Sequence, residues 1–372
     1  MSTPSLARKQ PLIKCVIWDL DETLWDGALL EGGGRALKPG IVDIIRELDA
    51  RGILQSIASK NDHHVAWPVV EAFGISEYFL FPQITWNSKA DSVKSIAERL
   101  GIGIDALAFI DDQQIERDEV RCFLPQVTVI DSADIEGLLD REYLQPQGIT
   151  DEARSRRLMY RADIERTGAG EAFTGTRDEF LATLGMRLTI HRVGPDDLRR
   201  AEELTIRTNQ LNTTGLTYSY EELDAMSRSP THLVLVVKLV DRYGSSGTIG
   251  LAVVQKEADM WTLWLLIMSC RVATRGVGTA LIAYLVRRAA DSGVRLRAAF
   301  APTDRNRQMY IAYKFAGFRD SGETADGAPG TVLLEHDFQR MPVLPPYISV
   351  IAEEDDVHNR PAPAAERQHD PA

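Results

Sequence analysis

The chain has 372 residues, 44% of them hydrophobic and 26% charged, and a formal net charge of −12. That length exceeds the ~100–200 residues of one domain, and the composition excludes wholesale disorder and fibrous classes. No apolar run approaches the ~20 residues of a membrane helix, the first residues lack a signal-peptide core, and the cysteines (Cys15, Cys122, Cys270) are too scattered for a disulfide framework, so a cytoplasmic protein is expected.

Charge is unevenly spread. Residues 1–150 carry 14 Lys+Arg against 24 Asp+Glu, a balance of −10; residues 151–345 carry 26 against 24, and 346–372 carry 2 against 6. An acidic first half argues against nucleic acid, whereas the middle segment takes 23 of its basic residues as arginine, the better binder of phosphate and carboxylate.

From residue 14 the pattern alternates: strands over 15–18, 53–58, 106–110 and 127–130, and helices over 41–50, 88–100 and 115–123. Such alternation predicts an α/β unit with a Rossmann-like parallel sheet covered on both faces, with ligands bound beyond the carboxyl ends of its strands. An arginine-rich helical connector follows over 149–180. The second half begins with a strand over 187–192 and a helix over 195–204. Strands over 231–239, 247–255 and 260–269, a helix over 278–292, a strand over 295–301 and a helix over 306–316 complete an α+β unit. The expected boundaries are 1–148, 149–180, 181–342 and a disordered tail, 343–372, rich in Pro, Ala and acidic residues.

The first strand runs into Asp19-Leu20-Asp21-Glu22-Thr23, which places two carboxylates at its carboxyl end. One can attack phosphorus and bind a cation while the other protonates the leaving oxygen and later activates water. The next strand leads into Ser59-Lys60-Asn61-Asp62 and the third into Asp111-Asp112; Lys89, at a helix start between them, has the charge to offset that of a transferred phosphoryl group, although Lys60 and Lys94 lie nearby. In this order Asp-x-Asp, Ser, Lys, Asp-Asp, residues 14–131 resemble the aspartyl-phosphate phosphatases of the haloacid-dehalogenase superfamily. The resemblance implies that Asp19 is the nucleophile, Asp21 the acid/base, Thr23 a turn-stabilising side chain, Ser59 a phosphate donor, Lys89 the charge-neutralising lysine and Asp111 a Mg2+ ligand. Asp19 and Asp21 would share the cation site, with Asp112 a second ligand or a group behind it. No insert large enough for a cap domain lies between Thr23 and Lys38 or between Ser59 and Lys89, so an open site is expected.

In the second half, Arg275-Gly276-Val277-Gly278-Thr279-Ala280 places small residues and free amides at a helix N-terminus, suited to a pyrophosphate or phosphopantetheine phosphate. With Asn306, Tyr310, Tyr313 and Gly317-Phe318 following, residues 187–340 resemble the GCN5-related acyltransferase fold. That resemblance places Cys270 where two strands splay apart and the donor's thioester lies. Cys270 is therefore either a nucleophile, its pKa lowered by Arg271 and the helix N-terminus, or a small buried hydrophobe. Cys15, about 13 Å up the strand from Asp19, is expected in the core.

The strings KCVIWDLDETLWDG, ASKND, FIDDQQIER, RTNQLN, MSCRV and APTDRN together resemble the FkbH-like family, over residues 12–340. That resemblance implies a bifunctional enzyme that dephosphorylates 1,3-bisphosphoglycerate and delivers the glyceryl group to the phosphopantetheine thiol of an acyl carrier protein in polyketide biosynthesis. Glu22 stands where the family commonly has Asn, and Gln113-Gln114 where Asn-Pro is frequent. The alternative is a Mg2+-dependent phosphatase whose second domain only binds a carrier protein or coenzyme. An acidic carrier is expected to dock on arginines of the connector (Arg154, Arg156, Arg157) and of the second domain (Arg287, Arg288, Arg305), away from the acidic first half.

Overall fold

Four fully buried residues, Cys15–Trp18, form β1 at the centre of a five-stranded parallel sheet. The computed structural model describes residues 12–32, 36–146, 148–208, 211–303, 306–325 and 330–352. It divides into two units: Met1–Leu184 with Val240–Gly247 and Cys270–Thr274, and Gly185–Leu239 with Thr248–Ser269 and Arg275–Ala372.

In the first unit the elements run β1, α1 (Ile41–Ala50), β2 (Leu54–Ser59), α2 (His63–Ala72), β3 (Gln83–Ile84), α3 (Lys89–Leu100), β4 (Leu107–Asp111), α4 (Gln114–Phe123) and β5 (Thr128–Asp131). The sheet order is β3-β2-β1-β4-β5. Alternation along the strands splits the core in two. Val16, Trp18, Ile57 and Ile110 pack with Ile41, Ile45, Ala66 and Val70 of α1 and α2, whereas Cys15, Ile17, Leu54 and Phe109 pack with Val93, Ile96 and Val120 of α3 and α4. Because the strands are parallel, the ends of β1, β2 and β4 share one edge, and Asp19, Ser59 and Asp111 are brought there by connectivity alone.

The expected connector belongs to this unit. It forms α5 (Asp151–Arg154), α6 (Arg156–Glu171) and α7 (Arg177–Thr183), with α6 continuing through Gly168 and Gly170. Arg156 is buried and donates to Gly52 O at 2.7 Å, and Arg157 pairs with Asp49 at 3.0 Å and Glu77 at 3.0 Å. Two of the connector arginines expected to meet an acidic partner are therefore engaged inside the unit. Arg154 is exposed.

The second unit contains β6 (Met186–Arg192), α8 (Pro195–Arg207), α9 (Tyr220–Arg228), β7 (His232–Asp241), β8 (Gly244–Lys256), β9 (Met260–Met268), α10 (Val277–Asp291), β10 (Arg295–Phe300), α11 (Arg307–Phe315), β11 (Phe318–Thr324), β12 (Val332–His336) and β13 (Ile348–Ala352). The tips of β7 and β8, 240–247, are counted with the first unit. Its mixed sheet runs β11-β12-β10-β9-β8-β7-β6-β13, and one apolar face packs Val234, Val236, Leu251 and Ile267 on Leu198, Ala201 and Leu223. The expected disordered tail starts as a strand instead: β13 pairs in parallel with β6 from Ile348↔Met186 to Ala352↔Ile190, satisfying the backbone groups of a sheet edge. Residues 353–372 lie outside the described residues. The fold class expected from the sequence, an α/β unit built on a parallel sheet followed by an α+β unit, is the one observed: a five-stranded parallel sheet and then an eight-stranded mixed sheet. No helix of the described residues is long and apolar enough to cross a membrane.

Candidate active site

Lys89 stands at the centre of the first unit's site. Ser88 caps α3, its hydroxyl accepting from Asp91 N at 3.0 Å, and this fixes Lys89 as the first helical residue. The ammonium donates to Asp19 Oδ1, to Asp111 Oδ2 at 2.8 Å and to Ala58 O at 2.9 Å. Lys60, by contrast, pairs with Glu116 at 2.9 Å. Asp19 also accepts hydrogen bonds from Ser59 and from the Leu20 amide. Asp19, Ser59, Lys89 and Asp111 are all buried.

The electrostatics follow from that burial. Desolvation pushes the Asp19 carboxyl above its ordinary value, against the pull of Lys89 and Ser59. Burial, with Lys89 pulling down and the Asp19 charge pushing up, brings Asp111 to about 6. Burial and Asp111 likewise raise Asp112. Burial alone would lower Lys89, but Asp19 and Asp111 outweigh it and hold the ammonium charged.

One oxygen from each of Asp19, Asp111 and Asp112 lies within 4.8 Å of the others, and Asp112 Oδ1 is buried without a hydrogen-bond partner. Three carboxylates, one with an orphaned oxygen, against a single ammonium form a donor set that fits a hard divalent cation. Among the described residues this is the one His/Cys/Asp/Glu group of that kind.

The Asp21 side chain lies outside that group. Its Oδ1 accepts from Trp25 Nε1 at 2.8 Å and Leu29 N at 3.1 Å, and its Oδ2 from Asn61 Nδ2 at 3.1 Å. These donors aim the carboxylate. Neither Trp25 nor Asn61 was singled out from the sequence, although Trp25 follows Asp21 by four residues and Asn61 lies in the Ser59–Asp62 string. Thr23 N donates to Leu20 O at 3.2 Å, closing the turn, while its buried Oγ1 has no hydrogen-bond partner. Glu22 adopts φ +52°, the left-handed region that asparagine tolerates better than glutamate.

Asn306 is buried: its Nδ2 donates to Asn212 O at 3.0 Å and Ala301 O at 2.8 Å, and its Oδ1 accepts from Thr303 N at 2.9 Å. Its polar atoms tie these loops together. Arg275 is buried as well. Gly276 caps α10 at φ +76°, and a Cβ there would stand 2.7 Å from the Tyr347 hydroxyl and 3.3 Å from Pro345, so the chain's own residues cover that turn; Gly278 has ordinary space.

The gap between β9 and β10 is also occupied. Their paired residues end at Leu263↔Ala298, and beyond that point Leu211–Thr214 lies along β9. Thr213 N donates to Leu266 O at 3.1 Å, Met268 N to Leu211 O at 3.0 Å and Ala301 N to Thr213 O at 2.9 Å. The Asn/Thr-rich loop acts here as a short strand. Cys270, counted with the first unit, directs its Sγ to Gly101 O at 3.5 Å. The expected lowering of its pKa does not prevail: burial pushes the thiol up, outweighing Arg271 and Lys14. Arg271 is itself engaged, donating to Ser246 O at 3.0 Å. Cys15 is fully buried and its thiol is pushed far up by burial, as a core residue's would be. Of the remaining arginines expected to dock a partner, Arg287 is exposed, Arg288 donates to the Tyr284 hydroxyl at 2.6 Å, and Arg305 lies outside the described residues.

No protein-family model matches the chain, and no curated protein matches it. Among solved structures, the N-terminal part of a Bacteroides fragilis protein, which contains a phosphatase domain and is complexed with Mg, is 27% identical, covering 37% of this chain and 42% of its own, with a TM-score of 0.32. The ribosomal-protein-S18-alanine N-acetyltransferase of Escherichia coli is 18% identical over 40% of this chain and 92% of its own, with a TM-score of 0.32. A GNAT-family acetyltransferase of Streptococcus pneumoniae is 18% identical over 40% and 97%, with a TM-score of 0.30. The chain thus spans about two fifths of the length of the phosphatase-domain structure it matches.

Proposed function

We propose that the chain is a bifunctional enzyme that removes phosphate from 1,3-bisphosphoglycerate and transfers the glyceryl group to the phosphopantetheine thiol of an acyl carrier protein in polyketide biosynthesis. The observation that carries the phosphatase half is the Lys89 ammonium held between Asp19 and Asp111. The glyceryl and carrier halves are carried by the resemblance of residues 12–340 to the FkbH-like family.

In this reading an Asp19 oxygen attacks phosphorus, forming an aspartyl-phosphate as the bond to the leaving oxygen breaks, and Asp21 gives that oxygen its proton. Asp21 then takes a proton from the water that attacks the aspartyl-phosphate, restoring the Asp19 carboxylate and releasing phosphate. Lys89 and Ser59 hold the phosphoryl oxygens, and the donors Trp25, Leu29 N and Asn61 keep Asp21 aimed. Asp19, Asp111 and Asp112 would hold Mg2+, which, when bound, offsets the negative charge gathered at the phosphoryl group. At the acyl phosphate, a thiol loses its proton, its sulfur bonds to C1, and phosphate leaves. Cys270 is the chain's own candidate for that thiol, and the carrier's arm is the final acceptor.

A second reading, a phosphatase whose second unit only binds a carrier or coenzyme, is favoured by the Leu211–Thr214 segment filling the gap between β9 and β10. Incubating the full chain with Mg2+, 1,3-bisphosphoglycerate and a phosphopantetheinylated carrier, then weighing the carrier, separates the two. A glyceryl-sized gain supports transfer, and an unchanged carrier with phosphate released supports the second reading.

A further inference from the structure

The turn between β4 and α4 carries both Asp111 and Asp112, so whatever shapes that turn sets where two of the three clustered carboxylates point. One side chain binds two of its carbonyls. Arg117, in the second turn of α4, is 4% exposed and folds back along the helix. Its Nη1 donates to Asp111 O at 2.8 Å and Asp112 O at 2.6 Å. Its Nη2 donates to Gln114 Oε1 at 2.8 Å and pairs with Asp131, the last residue of β5. Asp131 is anchored in turn, accepting from Ala133 N at 3.0 Å. Asp111 Oδ1 takes one further bond, from Gln113 N at 2.8 Å.

We propose that Arg117, held by Asp131, is the positioning residue of the cation site: it binds the consecutive carbonyls of Asp111 and Asp112 and so fixes both carboxylates for a divalent cation. This rests on the phosphatase reading above and adds to it a residue that touches neither substrate nor cation. The planar fork suits the task. One guanidinium nitrogen reaches two successive carbonyls while the other reaches the neighbouring strand, a geometry that the single-point ammonium of lysine cannot reproduce. Groups that orient the ligands of a metal typically contribute 10–100-fold to its affinity.

The test is Mn2+ binding, followed by electron paramagnetic resonance on the full chain, for wild type, Arg117→Lys and Asp131→Asn, with circular dichroism and melting curves in EDTA recorded on the same samples. Asp131→Asn leaves the buried arginine in place and alters only its partly exposed partner, so it tests the idea even where Arg117→Lys does not fold. The expected result is Mn2+ dissociation constants raised about 10–100-fold in folded Arg117→Lys and several-fold in Asp131→Asn, with phosphate release regained at saturating Mg2+. Wild-type affinity in Asp131→Asn together with wild-type affinity in any folded Arg117→Lys overturns the inference while leaving the phosphatase reading intact. A wild-type chain that takes up no Mn2+ and releases no phosphate overturns both.

Discussion

Replacing Lys89 with Met keeps most of the side chain's volume and deletes the ammonium that Asp19, Asp111 and Ala58 O share. The variant leaves two carboxylates buried side by side with no cation between them. Removing one partner of a buried ion pair costs about 3–5 kcal/mol. For a unit of this size each kcal/mol lowers the melting temperature by about 2–4 °C, so Lys89→Met should melt about 6–20 °C below wild type in EDTA at about pH 7.5. The deficit should shrink at about pH 5, where Asp111, already pushed up to about 6, takes a proton and one of the stranded charges disappears. Millimolar Mg2+ should also narrow it, by returning positive charge to the same carboxylates. Differential scanning calorimetry of both proteins, with and without Mg2+ at the two pH values, reads all of these. Equal melting temperatures in EDTA at about pH 7.5 would show that the ammonium is not what holds the carboxylates together, and the electrostatic reasoning would fail.

The wild-type protein should show the same linkage. Burial pushes the Asp111 carboxyl up to about 6, so the folded chain holds that proton where the unfolded chain does not, and the contribution of Asp111 to cation-free stability falls as pH rises through that value; a cation-free pH–stability profile that Asp111→Asn leaves unchanged would contradict this. Asn61→Ala removes one of the donors that aim Asp21, and phosphate release should slow by about 10–100-fold with KM little changed, because misaiming costs rate more than binding; a change in KM alone would assign Asn61 to substrate binding. Gly276→Ala combines a left-handed backbone with a Cβ 2.7 Å from the Tyr347 hydroxyl, and should cost about 1–3 kcal/mol in urea denaturation; adding Tyr347→Ala should recover the part due to the clash, and no recovery would leave the backbone as the whole cause.

How far the site was legible depended on whether its residues are set by local pattern or by distant pairing. Asp19, Ser59 and Asp111 lie at or just past the ends of parallel strands, so recognising three short apolar runs was enough to gather them on one edge. Lys89 could be preferred to Lys60 because it opens a helix between two such strands. The strand ends themselves were displaced by a single residue, β2 ending at Ser59 and β4 at Asp111. Asp21's partners were harder to see, because Asn61 reaches it from another strand end. The second half was less legible. Leu211–Thr214 has turn chemistry in its sequence and becomes strand-like only because β9 has a free edge beyond Leu263. Residues 348–352 carry no helical or alternating signal strong enough to stand out from a Pro- and Ala-rich stretch, yet β6 offers them an unpaired edge. The connector arginines looked free in sequence because Gly52, Asp49 and Glu77 are about 80 or more positions away. The same non-local burial that closes around Cys270 reverses the effect of its neighbour Arg271.

The role proposed for Asp19, a phosphoryl-accepting nucleophile in a cation-dependent site, is tested most directly by phosphate release from 1,3-bisphosphoglycerate by wild type and Asp19→Asn, each in Mg2+ and in excess EDTA, corrected for spontaneous loss of the acyl phosphate. Wild type should release phosphate in Mg2+ and stop in EDTA, while Asp19→Asn, with an unchanged circular dichroism spectrum, should release none under either condition. Release by Asp19→Asn at the wild-type rate, or full wild-type activity in EDTA, would contradict the claim.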